Sequence, residues 1–206
     1  MKLITKAAVN IGHSHTRYGA EDGIDLRQKD YRWTREANDN ALLAGVLIRE
    51  LHGCDPIIIR LFQQQGKETL SSLVQRINAF YPAVLVSLHR NSVTNPKPSG
   101  WSVWYHGKNP KGKNLARIMA QGLLGISAIN VDRAGGVRSD FEIYPPNAKK
   151  DKKGGFRILQ DFAECAVVFE GGFISNPKDE IWYDDPNILV SIAKALRTGI
   201  KKFCGL

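Results

Sequence analysis

Four ionisable side chains of this sequence stand at or just beyond segments that are typical of buried strands and long helices. His13 follows the first apolar run, His89 follows "AVLVSL", and Glu170 follows "AVVF". Glu36 stands near the start of the first predicted helix. Two imidazoles and a carboxylate can bind a catalytic zinc, which keeps an open position for water, and a further carboxylate could carry that water's proton. These residue types are compatible with a metal-dependent hydrolase, but their spacing is too wide for a local motif.

Each of these residues also has an ordinary structural interpretation. A histidine is by default a surface or core residue, and His15 is placed as well as His13 after the first strand. An acid such as Glu36 in a first helical turn favours the helix dipole. Glu170 needs a partner in any interpretation, because an unpaired carboxylate in a buried strand is costly. His106, at the end of another strand, could line a substrate groove.

Strands and helices alternate along the chain, which predicts an α/β fold with a largely parallel sheet. Ligands of such sheets bind beyond the carboxyl ends of the strands, so the candidate residues would meet at one edge. Apolar residues of the first helix recur at 42, 46, 47 and 51 and predict its buried face. The predicted strands are 2–12, 56–62, 83–89, 100–107 and 166–173, and the predicted helices are 34–53, 69–80, 112–125 and 187–203.

The stretch 132–157 is rich in glycine, proline and lysine, so we expect a long basic loop with a mobile tip. Its cluster 147–157 could bind an acidic wall polymer or simply be solvated. The net charge of +9 favours anionic polymers in general. Because the basic clusters are not interleaved with aromatic residues, we expect no nucleic-acid partner.

The 206 residues fit one domain, 1–206, with a core that needs no disulfides. The three cysteines are isolated from one another and predict reduced thiols. No apolar run is long enough to predict a membrane anchor, and the first residues lack the features of a secretory signal. We therefore expect synthesis in the cytoplasm and another export route for any role outside it. The sequence predicts no oligomeric state.

Four short motifs occur in order along nearly the whole chain, from about Ala8 to the last helix. They are Gly12-His13 at a strand end, Glu36 at the start of a helix, "SLHRN" at 87–91 and "EGGFISN" at 170–176. In this order they resemble the zinc-dependent N-acetylmuramoyl-L-alanine amidases of bacterial wall remodelling and phage lysis. "EGGFISN" is the most specific single match.

The resemblance implies that His13, Glu36 and His89 bind zinc and that Glu170 is the catalytic carboxylate. That family usually has glycine after its first histidine, whereas serine and then His15 follow here, so His15 remains an alternative ligand. The implied fold is a single α/β domain of the zinc exopeptidase type, with a mostly parallel twisted sheet and helices on both faces. The implied activity is hydrolysis of the amide between N-acetylmuramic acid and L-alanine in peptidoglycan, by a lysin or wall-remodelling enzyme acting on the cell wall.

Three further residues are candidates for substrate binding: Asn91, Arg90 and Asn40. Arg90 stands where that family often has a small residue, and it could contact an anionic peptide stem or point to solvent. Asn40, one helical turn after Glu36, could instead support a metal ligand or lie on the surface. A zinc peptidase or amidohydrolase of another substrate and a non-catalytic peptidoglycan-binding module remain as alternatives.

Overall fold

The computed structural model describes residues 5–13, 35–52, 57–147 and 154–206. Six strands form one sheet in the order β2-β1-β3-β6-β4-β5. The strands are β1 (Thr5–Ile11), β2 (Ile57–Gln63), β3 (Val84–Asn91), β4 (Ser102–Tyr105), β5 (Val137–Ser139) and β6 (Cys165–Phe173). The helices are α1 (Arg35–Leu51), α2 (Leu70–Asn78), α3 (Pro110–Leu124), α4 (Arg157–Gln160), α5 (Pro177–Asp184) and α6 (Pro186–Phe203).

The sheet is mostly parallel, which confirms the predicted fold class. Strands β2, β1, β3 and β6 run in the same direction, whereas β4 runs antiparallel to β6 and carries β5 parallel to itself. The central strands are apolar on both faces, as expected when helices cover a sheet from both sides. The carboxyl ends of β1, β3 and β6 consequently lie side by side at one edge.

Each face of the sheet has its own core. Helices α1, α3 and α6 pack on one face, and α2 and α4 pack on the other. In α1 the buried face carries Leu43, Leu47 and Leu51, whereas Leu42 is 49% exposed. The predicted face of this helix was therefore wrong by one position at its start. Helical spacing fixes the period of an apolar stripe, whereas tertiary packing determines that Leu43 and not Leu42 is buried.

The stretch 132–157 is not the continuous loop that its composition predicts. Its residues form β5 and a 3₁₀ turn at Asp140–Glu142 before the start of α4. The Asp140 carboxylate is fully buried and accepts hydrogen bonds from the backbone of Gly107, at 3.0 Å, and of Phe156, at 2.9 Å. Residues 148–153 lie outside the described residues, so a mobile tip there stays a prediction. Among the described helices, none combines the length and apolarity needed to cross a membrane.

Helix α5, which the sequence did not predict, fastens the end of β6. The Asn176 side chain caps it by accepting a hydrogen bond from Lys178 N at 2.9 Å. Inside the helix, the fully buried Asp179 accepts hydrogen bonds from Ser99 Oγ at 2.6 Å, Gly100 N at 2.9 Å and Phe173 N at 2.8 Å. One carboxylate thus joins α5 to the end of β6 and to the loop before β4.

We expect Asp179→Ala to destabilise the protein by roughly 3 kcal/mol, because two buried backbone N–H groups would lose their acceptor. Denaturant unfolding measures this loss. Lys178→Ala, at an exposed position of the same helix, is the control and should change stability by less than about 0.5 kcal/mol. Equal effects of the two substitutions would contradict the role of Asp179 as a buried acceptor.

Candidate metal centre

Two parallel strands and the loop after a third deliver the ionisable residues to one edge of the sheet. His89 in β3 pairs in register with Glu170 in β6. His13 follows the end of β1, which pairs with β3 on its other side. Neighbouring parallel strands end at the same edge, so residues far apart in the chain become neighbours.

Gly12 allows β1 to approach β3 closely enough to bring the two histidines together. Its N–H donates a hydrogen bond to Leu88 O at 2.9 Å, and a Cβ at this position would overlap that oxygen and the His89 ring. His13 then adopts a left-handed backbone conformation, with φ of 59°, that turns the chain out of the sheet. Its carbonyl oxygen accepts a hydrogen bond from Gln63 Nε2 at 3.1 Å. Glycine at position 12 is therefore required by the geometry of the strand end.

Glu36, in the first turn of α1, lies between the two imidazoles. Its Oε2 is 3.3 Å from His13 Nε2, and its Oε1 is 3.3 Å from His89 Nδ1. The imidazole rings are nearly perpendicular, with centroids 5.0 Å apart. One potential ligand atom from each of the three residues lies within 4.8 Å of the other two. Two imidazole nitrogens and a carboxylate oxygen at this separation suit a tetrahedral zinc with one open position.

The environment of Glu36 keeps its carboxylate ionised. Its side chain is 1% exposed, and this burial raises its pKa. Hydrogen bonds and charge interactions with His13 and His89 outweigh burial, so the pKa of Glu36 lies well below its usual range. The backbone N–H of Arg90 donates to Oε1 at 3.0 Å, and the buried Oε2 faces His13 Nε2 at 3.3 Å. An ionised carboxylate that faces two imidazole nitrogens fits a cation at this position.

The His13–Glu36–His89 cluster opens into a cavity of about 390 Å³. Glu170 lies on its wall, half-buried, next to His89. The other wall residues include Gln64, Leu70 and Leu73 near α2, and Phe156, Arg157 and Ile158 near α4. A half-open cavity that joins three potential metal ligands and a further carboxylate is suited to holding a substrate beside a metal.

Comparison with known proteins gives the family of this chain. Residues 8–202 match the Amidase_3 family, described as N-acetylmuramoyl-L-alanine amidase. The chain belongs to this amidase family. The resemblance inferred from the four motifs is thereby confirmed, and the match extends over almost the whole of this chain.

Individual relatives of this amidase-family chain are distant. The germination-specific N-acetylmuramoyl-L-alanine amidase of Bacillus subtilis (strain 168) is 22% identical over 69% of this chain and 53% of its own length. A putative N-acetylmuramoyl-L-alanine amidase of Buchnera aphidicola subsp. Baizongia pistaciae (strain Bp) is 27% identical over 60% of this chain and 64% of its own length. The matched regions thus span only about half to two thirds of these curated relatives.

Solved structures of amidases share the fold. The crystal structure of an N-acetylmuramoyl-L-alanine amidase from Clostridium difficile 630 superposes with a TM-score of 0.76 at 19% identity. The superposition covers 98% of this chain and 97% of that chain. At this low identity the likeness supports the α/β architecture of the amidase family and carries no information about individual side chains.

Two of the predicted substrate-binding residues, Arg90 and Asn40, are buried and do not line the described cavity. The Arg90 side chain forms an ion pair with Asp39 and stacks 4.3 Å from the Tyr183 ring centroid, so it reaches neither this cavity nor solvent. Asn40 is fully buried and donates a hydrogen bond from Nδ2 to Gly12 O at 3.3 Å, which supports the strand end that carries His13. Asn91 is half-buried, and its role in substrate binding stays a prediction.

The remaining histidine alternatives have different outcomes. His15 lies outside the described residues, so its competition with His13 stays open. His106 does not line the cavity beside the cluster, as far as the described residues define it, and its Nδ1 lies 2.9 Å from Asp140 Oδ2. The interpretation in which His106 lines this cavity is therefore not supported. Gln64 and Phe156 were not among the sequence candidates, although Gln64 directly follows β2, and Arg157 was included only in the basic cluster 147–157.

We expect Gly12→Ala to impair metal binding and stability together, since its Cβ would overlap Leu88 O and the His89 ring. Zinc affinity from chelator competition and denaturant unfolding measure the two effects. Gly45→Ala is the control, because nothing lies within 4 Å of its Cβ position in α1 and alanine favours a helix by about 1 kcal/mol. Normal zinc affinity in the Gly12→Ala variant would contradict the close approach of β1 and β3.

We expect Arg90→Met to cost about 3–5 kcal/mol of unfolding free energy, because the substitution removes the buried guanidinium that pairs with Asp39. Denaturant unfolding again provides the measurement. Arg117→Met, at an exposed site on α3, should change stability by less than about 0.5 kcal/mol. A neutral Arg90→Met variant would show that the ion pair has no structural role.

Proposed function

We propose that this protein is a zinc-dependent hydrolase of the amide bond between N-acetylmuramic acid and L-alanine in peptidoglycan. The observation that carries the proposal is the His13–Glu36–His89 cluster, which opens into a cavity beside Glu170 in a member of the amidase family. His13, Glu36 and His89 would hold the metal. When bound, zinc would act as a Lewis acid towards the amide carbonyl and a water molecule.

Glu170 is the residue that we assign to proton transfer. It pairs in register with His89 and lies on the cavity wall, so the two side chains share one face of the sheet beside the cavity. An Oε atom of Glu170 would accept a proton from the attacking water and deliver it to the amide nitrogen as the bond breaks. The rigid pairing of β3 with β6 holds this carboxylate at a fixed distance from the ligand His89.

Arg90 and Asn40 affect this chemistry indirectly, by orienting the residues that would hold the metal. The backbone N–H of Arg90 orients Glu36 Oε1, and Asn40 fixes the carbonyl of Gly12 immediately before His13. Hydrogen bonds of this kind hold metal ligands in the orientation that binding requires. The two residues thus support the proposed metal ligands from the side away from the cavity.

The substrate that we propose places the enzyme on the cell wall, as a lysin or a wall-remodelling enzyme. The net charge of +9 suits a polyanionic wall. A peptidase acting through the same cluster would release amino acids or peptides from stem peptides that lack muramic acid. A binding module would retain sacculi without releasing any product. Product analysis therefore separates all three possibilities.

We expect Glu170→Gln to retain zinc but to lose hydrolysis of purified sacculi by a factor of about 10²–10⁴, because glutamine cannot carry the proton. New N-terminal L-alanine, detected by amine labelling and mass spectrometry, measures the reaction. His89→Ala should instead lose zinc. Chelation should abolish the activity of the unsubstituted protein, and added zinc should restore it.

Two outcomes would contradict the proposal. Full activity of zinc-loaded Glu170→Gln would remove Glu170 from proton transfer. Binding of sacculi by the zinc-loaded, unsubstituted protein without any new L-alanine N-terminus would leave only the binding module.

A further inference from the structure

One cationic side chain lies on the wall of the cavity beside the metal cluster. Of the described residues that line it, Arg157 is the only lysine or arginine. Its side chain is 48% exposed, and its Nε donates a hydrogen bond to Asp161 Oδ2 at 2.7 Å. A guanidinium has five N–H donors in a planar fork, so Arg157 can hold Asp161 and a ligand carboxylate at the same time.

The chain next to Arg157 is held in a fixed position. The backbone N–H of Phe156 donates to the buried Asp140 carboxylate at 2.9 Å, and its ring lies 5.4 Å from the Trp104 ring, centroid to centroid. The same carboxylate accepts from Gly107 N and lies 2.9 Å from His106 Nδ1. This anchoring keeps the arginine at the cavity wall, where it can select a ligand by charge.

The chemistry of the proposed substrate is asymmetric about the bond that is cut. On the sugar side, N-acetylated saccharides are neutral, and the lactyl carboxyl of muramic acid is consumed in the amide itself. On the peptide side, the residues beyond L-alanine carry carboxylates that can be free or amidated. A cation on one wall of the cavity therefore favours the peptide side of the substrate over the sugar side.

We propose that Arg157 binds a free carboxylate of the stem residue that follows L-alanine, and that it makes the enzyme prefer acidic stems over amidated ones. The inference rests on the proposed function and adds an orientation to it: the peptide stem extends from the metal cluster towards α4. Arg157 is then a specificity-determining residue, separate from the groups that bind metal or move protons.

The test uses two synthetic muramoyl peptides that differ only at the residue after L-alanine, which carries a free α-carboxylate in one and a carboxamide in the other. We expect the zinc-loaded enzyme to cleave the acidic peptide with a kcat/KM about fivefold higher, through KM, as suits a half-exposed ion pair. Arg157→Gln should abolish this preference, bringing the ratio of the two kcat/KM values to about one. Arg157→Lys should retain part of the preference, because it keeps the charge but loses the fork.

Arg117→Gln is the matched control, because it removes the same charge from an exposed position on α3 and should leave the preference unchanged. The proposal is overturned if the unsubstituted enzyme cleaves both peptides equally, or if Arg157→Gln keeps the preference. Equal loss of activity on both peptides would show that Arg157 supports only the structure, and this too overturns it. Failure of the unsubstituted enzyme to cleave either peptide would instead refute the proposed function itself.

Discussion

The structure of the site depends on one ionised carboxylate that is almost completely removed from water. Glu36 is stable in this position because His13 and His89 face its two oxygens and the Arg90 backbone N–H donates to one of them. A buried charge is tolerated only when its partners are well placed, so the ends of β1, β3 and α1 must meet with little freedom. The same requirement prepares the cluster for a cation, because the geometry that stabilises the carboxylate also collects three ligand atoms.

The buried guanidinium of Arg90 stabilises the elements that carry Glu36 and His89. The Arg90 guanidinium pairs with Asp39, one helical turn after Glu36, stacks on the Tyr183 ring and donates to the carbonyl of Asp179 at 3.3 Å. These contacts join α1 and β3 to α5. Arg90, directly after His89, thus has two roles in the protein interior. Its backbone N–H donates to Glu36, and its side chain contacts both α1 and α5.

The "EGGFISN" motif has a structural explanation that extends beyond its glutamate. A Cβ at Gly171 would overlap Tyr183 Oη, and Gly172 has a φ of 85° and lies against Trp182. Asn176 caps α5, which brings Asp179 to the backbone of Phe173. The motif therefore combines one residue for chemistry with the turn and helix that hold the end of β6 in place. This combination explains why it was the most specific signal in the sequence.

The sequence by itself determined the fold class, the order of most elements and the three candidate metal ligands, His13, Glu36 and His89, that the structure brings together. Strand and helix periodicities can be recognised from neighbouring residues. The candidate ligands are too widely spaced to form a local motif, and the family resemblance grouped them. Only the tertiary structure decided that Arg90 and Asn40 are buried, that Leu43 replaces Leu42 in the core and that His106 pairs with Asp140. The stretch whose composition predicts a loop also contains β5 and places Arg157 on the cavity wall. These features depend on which surfaces meet across distant parts of the chain, and a local pattern of residues carries no information about that.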